Sequence, residues 1–438
     1  MCWNSLFKKI IIGLVILQGV ILGQSVVHVN VKGVNVPVVY EEDKNLPIAS
    51  MQLVIGVSGS MEDGNIPGLA KFAAHLLGEG TKTLGAIGFA EALEAKAISL
   101  SAHPGTETFV FEVGALKEEF GYGVKMLASL IKEPNYTEEA MEKVRLMTLG
   151  MLSNKVSDFD YIANVALKEL LFKDKPLGHP SLGNVKSIEA VTLKEVQDFL
   201  DARLDIANAI VVIGGDVSLD EAKAYAKEVL ETLPVGAKRE LGHFEPSNNK
   251  EEKIIVKSTE QAYIYFGSPF YMKSDDSEGY KAKVAAFILG ESGFGSRLME
   301  EIRVKRGLAY SAYGRISINR SYSQFSGYLQ TKNESREEAV ALVKEVVDLF
   351  CKKGVRQEEL DQAKRFLLGS EPLRNETLSQ RLSRAYFEFY RGFELGYSKK
   401  QLKQIDTLSL DELNAFIAKH GEIKDLSFAI VTDSDVTK

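Results

Sequence analysis

Histidine and cysteine are scarce in this chain, which narrows its metal and thiol chemistry. The 438 residues include 6 histidines and 2 cysteines. No two of His28, His75, His103, His179, His243 and His420 have the spacing of a helical metal-ligand pair. Of the cysteines, Cys2 lies in the amino-terminal segment, so cleavage there leaves Cys351 alone and no intrachain disulfide. Cys351 ends the apolar run Val347-Asp348-Leu349-Phe350-Cys351 and reads as a buried thiol, not a nucleophile. A basic excess is also missing. With 53 Lys and Arg against 60 Asp and Glu, the formal net charge is −7, which offers no footprint for nucleic acid. One long hydrophobic run exists, Ile10 to Leu22. Its 13 residues fall short of the ~20 that a spanning helix needs. Lys8 and Lys9 precede it and Gly23-Gln24-Ser25 follow, the pattern of a secretory signal over 1–25, with an uncleaved anchor as the alternative. Export to the periplasm is therefore expected, with membrane contact only through this segment. Nucleotide and serine-hydrolase signatures are absent too. Gly56-Val57-Ser58-Gly59 and Gly290-Glu291-Ser292-Gly293 both miss G-x-S-x-G, and Gly290 to Ser296 lacks the lysine of a P-loop.

What is present is the composition of an ordinary globular protein, 45% hydrophobic and 26% charged, too long for one core. Strand-like runs at Val26–Val39, Ser50–Val57, Ala97–Ala102 and Glu107–Val113 are followed by long helical patterns. The segment from Pro234 to Glu252 is poor in apolar residues and reads as a linker. Past it the pattern returns. The helix Leu193–Leu200 before the strand Ala209–Ile213 resembles Leu410–Ile417 before Leu426–Val431, an offset of 217 residues. Thr137-Glu138-Glu139 and Gln357-Glu358-Glu359 each open a long helix at an offset of 220. A duplicated α+β domain follows: 26–233 and 253–438, joined by 234–252. Each copy is expected to be a largely antiparallel sheet with helices packed on one face.

Two stretches carry candidate chemistry. In Leu69–Leu77, Leu69, Phe72, Ala73, Leu76 and Leu77 form an apolar helix face, leaving Lys71, Ala74 and His75 on the other. A zinc helix needs two imidazoles one turn apart and a carboxylate to activate water. An ammonium has no lone pair to give, and alanine accepts no proton. The second stretch runs from Glu301 to Gly314. Gly307 marks a helix end, placing Arg303 in the last turn and Tyr310 in the strand beyond. A guanidinium and a phenol on one surface suit recognition of a carbonyl or a developing oxyanion. The bare spacing equally fits a solvated arginine assisting the helix terminus and a packed tyrosine.

With Gly68-Leu69-Ala70, Gly80-Thr81, Glu260-Gln261-Ala262 and, above all, Ser296-Arg297-Leu298 through Arg306-Gly307-Leu308-Ala309-Tyr310-Ser311, the chain resembles the pitrilysin/insulinase-type zinc peptidases. The similarity is to the small two-domain branch that includes mitochondrial processing peptidase and bacterial processing proteases. The resemblance places the inverted His-x-x-Glu-His motif on Lys71, Ala74 and His75, and the third ligand on Met151 or Leu152. Only His75 survives, so it implies no metal bound by this chain. Ser101 stands where the family often has an asparagine beside the substrate strand. Arg303 and Tyr310 match the family's pair that contacts substrate and supports the tetrahedral intermediate. The resemblance thus implies a zinc-free subunit of a heterodimeric peptidase. Zinc would sit in a homologous partner with an intact His-x-x-Glu-His, and peptides would be the substrates. The alternative it leaves is a scaffold or peptide-holding protein of the same fold.

Overall fold

The computed structural model describes residues 23–433. The signal-like run, Cys2 and the last five residues lie outside them. Two sheets are built in succession. The first contains β1 (Ser25–Val31), β2 (Val34–Glu42), β3 (Ile48–Gly56), β4 (Ser99–Pro104), β5 (Thr108–Leu116) and β6 (Ala209–Gly215), in the order β1-β2-β6-β3-β5-β4. The second contains β7 (Glu252–Val256), β8 (Gln261–Pro269), β9 (Ala309–Ile318), β10 (Ser323–Lys332) and β11 (Ser427–Thr432), in the order β7-β11-β8-β10-β9. The two orders superpose, with β1 as an addition to the first. Each sheet is antiparallel apart from one pair, β2 with β6 and β7 with β11. The α+β architecture is as the sequence implies. Strand β4 extends through His103 and Pro104, two residues beyond the strand-like run Ala97–Ala102 of the sequence.

Helices of the first half are α1 (Leu69–Leu77), α2 (Gly85–Glu94), α3 (Lys117–Lys132), α4 (Glu138–Lys155), α5 (Phe159–Leu171), α6 (Val185–Ala190), α7 (Leu193–Arg203) and α8 (Leu219–Leu230). The second half has α9 (Gly279–Ala286), α10 (Arg297–Met299), α11 (Arg336–Lys353), α12 (Gln357–Gly369), α13 (Leu378–Tyr390), α14 (Tyr397–Thr407) and α15 (Leu410–Lys419). Among the described residues no helix is long and apolar enough to cross a membrane. The repeat is visible in local chemistry. Thr192 with Glu195 and Ser409 with Glu412 form the same capping box at the starts of α7 and α15. Each hydroxyl satisfies a free N–H of the first turn, and each glutamate reaches back to the cap N–H.

Strand periodicity decides what each sheet buries. Met51, Leu53, Val211 and Ile213 face the large core under their own half's helices. Val39, Val54 and Val212 face the opposite way, where Leu382 and Ala385 of α13 cover them. The exchange is reciprocal. Ala166, Leu167 and Leu171 of α5 pack with Ala429 on the back of the second sheet. Helices of each half therefore lie on one face as expected, and one helix of the other half closes the second face. Polar contacts fasten the exchange. Asp160 of α5 accepts hydrogen bonds from Tyr265 Oη at 3.0 Å and Gln330 Nε2 at 2.9 Å. Arg381 of α13 pairs with Glu41 and Asp43. Glu107, in the turn between β4 and β5, accepts from Ser321 N at 2.8 Å and Tyr390 Oη at 2.8 Å.

The start of α1 is held by a buried carboxylate. Asp63 Oδ2 accepts from Gly68 N and Oδ1 from Ala70 N, both at 2.8 Å. Burial pushes its carboxyl up to about 7 against those two N–H groups. A carboxyl raised in the folded state gives stability that is present below its unfolded value and lost as pH rises through 7. Asp63→Asn keeps one acceptor and removes the titration. The variant is expected to be less stable than the parent by ~1–3 kcal/mol at pH 4, with the gap narrowing toward pH 7.5. Denaturant titrations across that range check the sign; a gap that widens with pH contradicts it.

Candidate functional site

Helix α1 lies over the end of the first sheet and packs against β4, α4 and α7. Leu69, Ala70, Phe72, Ala73, Leu76 and Leu77 are buried, and so is Ala74, at 3% exposure. Ala74 therefore does not share the open face with Lys71 and His75, as the helical spacing suggested; its methyl is small enough to pack. Lys71 and His75 are half-buried. Burial, and then the Lys71 ammonium one turn away, push the His75 imidazole below its usual range, so it is neutral at pH 7. Its Nδ1 is buried without a hydrogen-bond partner among the described residues. Of the two candidate third positions, Leu152 joins the core that contains Phe72 and Leu76, while Met151 faces solvent at 38% exposure. The donor set does not fit zinc: one imidazole, one ammonium, an alanine and two apolar side chains. Among the described residues, no three His, Cys, Asp or Glu side chains converge elsewhere.

Ser101 is exposed on β4, the outermost strand of the first sheet, which among the described residues pairs only with β5. Its position in the second half is matched by β9, the other edge strand, where Tyr310 lies.

The second candidate stretch has a geometry that the sequence did not disclose. Ser296 caps α10, and the helix then widens into a π turn over Glu300–Val304, with Lys305 N donating to Glu300 O at 3.0 Å. Such turns are uncommon and recur at functional sites. Gly307 takes φ +63° and its N–H donates to Arg303 O at 2.9 Å, while Leu308 N donates to Ile302 O at 2.9 Å. The chain reverses there and enters β9. That reversal brings Arg303 and Tyr310 together: the guanidinium carbon lies 4.4 Å from the Tyr310 ring centroid. A second ring lies as close, with the Phe294 centroid at 4.6 Å. Phe294 sits between Gly293 (φ +66°) and Gly295 (φ +91°), two left-handed positions that let the loop project an aromatic side chain outward. Both rings are open to solvent, Phe294 at 67% and Tyr310 at 82%.

The neighbouring cations are all engaged. Glu301 takes Lys305 at 2.6 Å and Arg306 at 2.9 Å. Arg297 grips Glu359 with two bonds of 2.8 Å. Burial lifts the Glu359 carboxyl, but the Arg297 fork outweighs it and holds the group at about 2. Arg303 has no carboxylate or carbonyl partner among the described residues. Two rings pack against it, and its fork of N–H donors has no carboxylate or carbonyl partner among the described residues. Sequence reasoning missed Phe294; an aromatic between glycines, with no helix or strand to bury it, was the available signal. No hydrogen bond or ion pair among the described residues joins the Lys71–His75 strip to Arg303 or Tyr310. The turn bearing Arg303 packs on α10, α11 and β9, all of the second half.

Both halves of the chain match models of one protein family. A family model described as insulinase (peptidase family M16) matches residues 37–184, and one described as peptidase M16 inactive domain matches residues 190–367. A Helicobacter pylori protein described as the non-peptidase homolog YmxG is 44% identical over 434 residues, 98% of this chain and 100% of that one. An uncharacterized zinc protease of Mycobacterium tuberculosis is 26% identical over 387 residues, 85% of each chain. Among solved structures, a peptidase M16 inactive domain from Pseudomonas fluorescens superposes with a TM-score of 0.86 at 24% identity, covering 94% of this chain and 99% of that one. A protease from Helicobacter pylori superposes with a TM-score of 0.79 at 17% identity, covering 93% and 100%.

Proposed function

The chain belongs to the insulinase-type peptidase family M16 as a non-peptidase homolog, and on that premise we propose that it is the zinc-free subunit of a heterodimeric peptidase. Its partner is a homologous chain with an intact His-x-x-Glu-His motif, which holds the zinc. This subunit contributes Arg303 and Tyr310 and half of the peptide chamber, on the exported side of the membrane. The observation that carries the reading is the Arg303 guanidinium, which has no carboxylate partner among the described residues and packs against Phe294 and Tyr310, on a chain whose α1 lacks the zinc ligands. A surface arginine with no assisting role has no need of two exposed rings to fix its plane. When bound in the partner, zinc polarises the scissile carbonyl and lowers the pKa of its water. Arg303 donates to substrate carbonyl oxygen and to the oxyanion that develops from it, and the Tyr310 hydroxyl adds a second donor. An assembled site of this kind works only if both halves are rigid, which suits a turn closed by Gly307 and Leu308.

Co-expression with such a partner tests the reading. A 1:1 complex containing one zinc per pair, with none in this chain alone, is the expected result. No complex, or stoichiometric zinc in this chain alone, sinks it. Phe294 gives a finer check. Phe294→Ala is expected to lower kcat of the pair about three- to tenfold by freeing Arg303, and Phe294→Tyr to restore it. Loss in both variants would point to the loop's shape instead.

The second reading, a scaffold or peptide holder, is favoured by one observation: the free edges of β4 and β9 offer unpaired backbone groups to an extended chain. Peptide binding without any partner-dependent cleavage would support it.

A further inference from the structure

The loss of the zinc ligands leaves a question about what α1 now does. Seven of its nine residues are buried, and its accessible strip is Lys71 and His75. Helix α1 makes its main sheet contact with β4, whose outer edge is unpaired among the described residues. Leu100 and Ala102 of β4 turn into the core shared with α1, so the helix and the edge strand are packed together. Lys71 has no carboxylate within ion-pair distance among the described residues. Other lysines near α1 are engaged, as Lys143 is with Glu79 at 2.7 Å. His75 is neutral, so it adds a donor without a second full charge.

We propose that the Lys71–His75 strip, with the free edge of β4, is a binding site for the C-terminal carboxylate of an extended peptide. Strand addition at β4 recognises backbone and is indifferent to side chains. The one anion that every peptide backbone carries is its terminal carboxylate. A chain paired with β4 and ending beside α1 sets that group against the ammonium, where the bond is charge-assisted. The vacated metal position thus holds a fixed cation of the protein's own, suited to retaining peptides that have already been cut. The proposal rests on the peptide-chamber part of the reading above and is independent of the partner's zinc.

The test uses this chain alone, residues 26–438, immobilised and offered a pool of nonapeptides of randomised sequence. The pool is made once with free C-terminal carboxylates and once as C-terminal amides. Retention of the acid pool is expected to exceed that of the amide pool by about tenfold. Lys71→Gln, which keeps the stem and removes the charge, is expected to erase the difference, whereas Lys143→Gln, at a neighbouring lysine already paired with Glu79, leaves it. Circular dichroism confirms that each variant is folded. Equal retention of the two pools overturns the proposal, as does a preference that survives Lys71→Gln, or one lost equally with Lys143→Gln. Retention that follows internal Asp and Glu content and ignores the terminus also overturns it. None of these outcomes bears on whether Arg303 supports cleavage in the pair, which is read from kcat.

Discussion

Arg303→Ala lowers kcat of the assembled pair by about a hundredfold, with a much smaller change in KM. The magnitude is that of removing one preorganised donor from an oxyanion site, on the order of 10²–10³ in rate or ~3–4 kcal/mol. The effect falls on kcat because negative charge on the carbonyl oxygen grows only as the tetrahedral intermediate forms. Arg303→Lys is expected to recover less than tenfold of the loss. A lysine keeps the charge but gives up the planar fork and the stacking between Phe294 and Tyr310. Tyr310→Phe keeps the ring that orients Arg303 and removes one hydroxyl, so a loss of about tenfold is expected. Stability should hardly move in any of the three. Tyr310 is 82% exposed, and Arg303 makes no ion pair among the described residues; substitutions at such sites stay within about ±0.5 kcal/mol. Steady-state kinetics on the pair, with thermal melts of each variant, separate these outcomes. Full activity in Arg303→Ala would return the residue to the role of a solvated helix-end arginine.

Separating the halves is expected to abolish folding of both. Residues 26–233 without α13 leave Val39, Val54 and Val212 uncovered, with Val110 and Ile210 beside them. Each fully exposed valine forfeits ~1.5–3 kcal/mol of burial, so the sum is comparable to the whole net stability of a domain, roughly 5–15 kcal/mol. The second half alone loses α5 and uncovers Ala429 and Tyr265. In the intact chain, Leu382→Ala is expected to cost ~2–5 kcal/mol. Because α13 is shared, that cost should appear in a single transition for the whole molecule. Denaturant unfolding followed by far-ultraviolet dichroism and by tryptic protection tests this. Coincident curves are expected; two separate transitions, with Leu382→Ala moving only one, would show that the halves are independent.

The exchange of α5 and α13 was not legible in the sequence, although its cause was. Amphipathic spacing says that a helix buries one face and is silent about which sheet receives it. The strand Ala209–Gly215 is apolar on both faces, and that pattern already requires cover on both sides. The repeat was legible because capping residues and helix starts are local. α3 and α11, α4 and α12, and α5 and α13 begin 219 residues apart, at Lys117/Arg336, Glu138/Gln357 and Phe159/Leu378. At the candidate site the residue types were readable and the geometry was not. Seven positions separate Arg303 from Tyr310, and their contact depends on the π turn and the reversal at Gly307. No periodicity encodes that reversal. Ala74 misled for the opposite reason: helical spacing put it at the margin of the polar face, and packing drew it in.

The proposed sharing of one active site is tested most directly by the peptide-cleavage rate of a zinc-bearing homologous partner with and without this chain. The expected result is negligible cleavage by either chain alone and full activity at equimolar mixing, reached with wild-type chain but not with Arg303→Ala. A partner equally active without this chain, or cleavage by this chain alone with bound zinc, would contradict it.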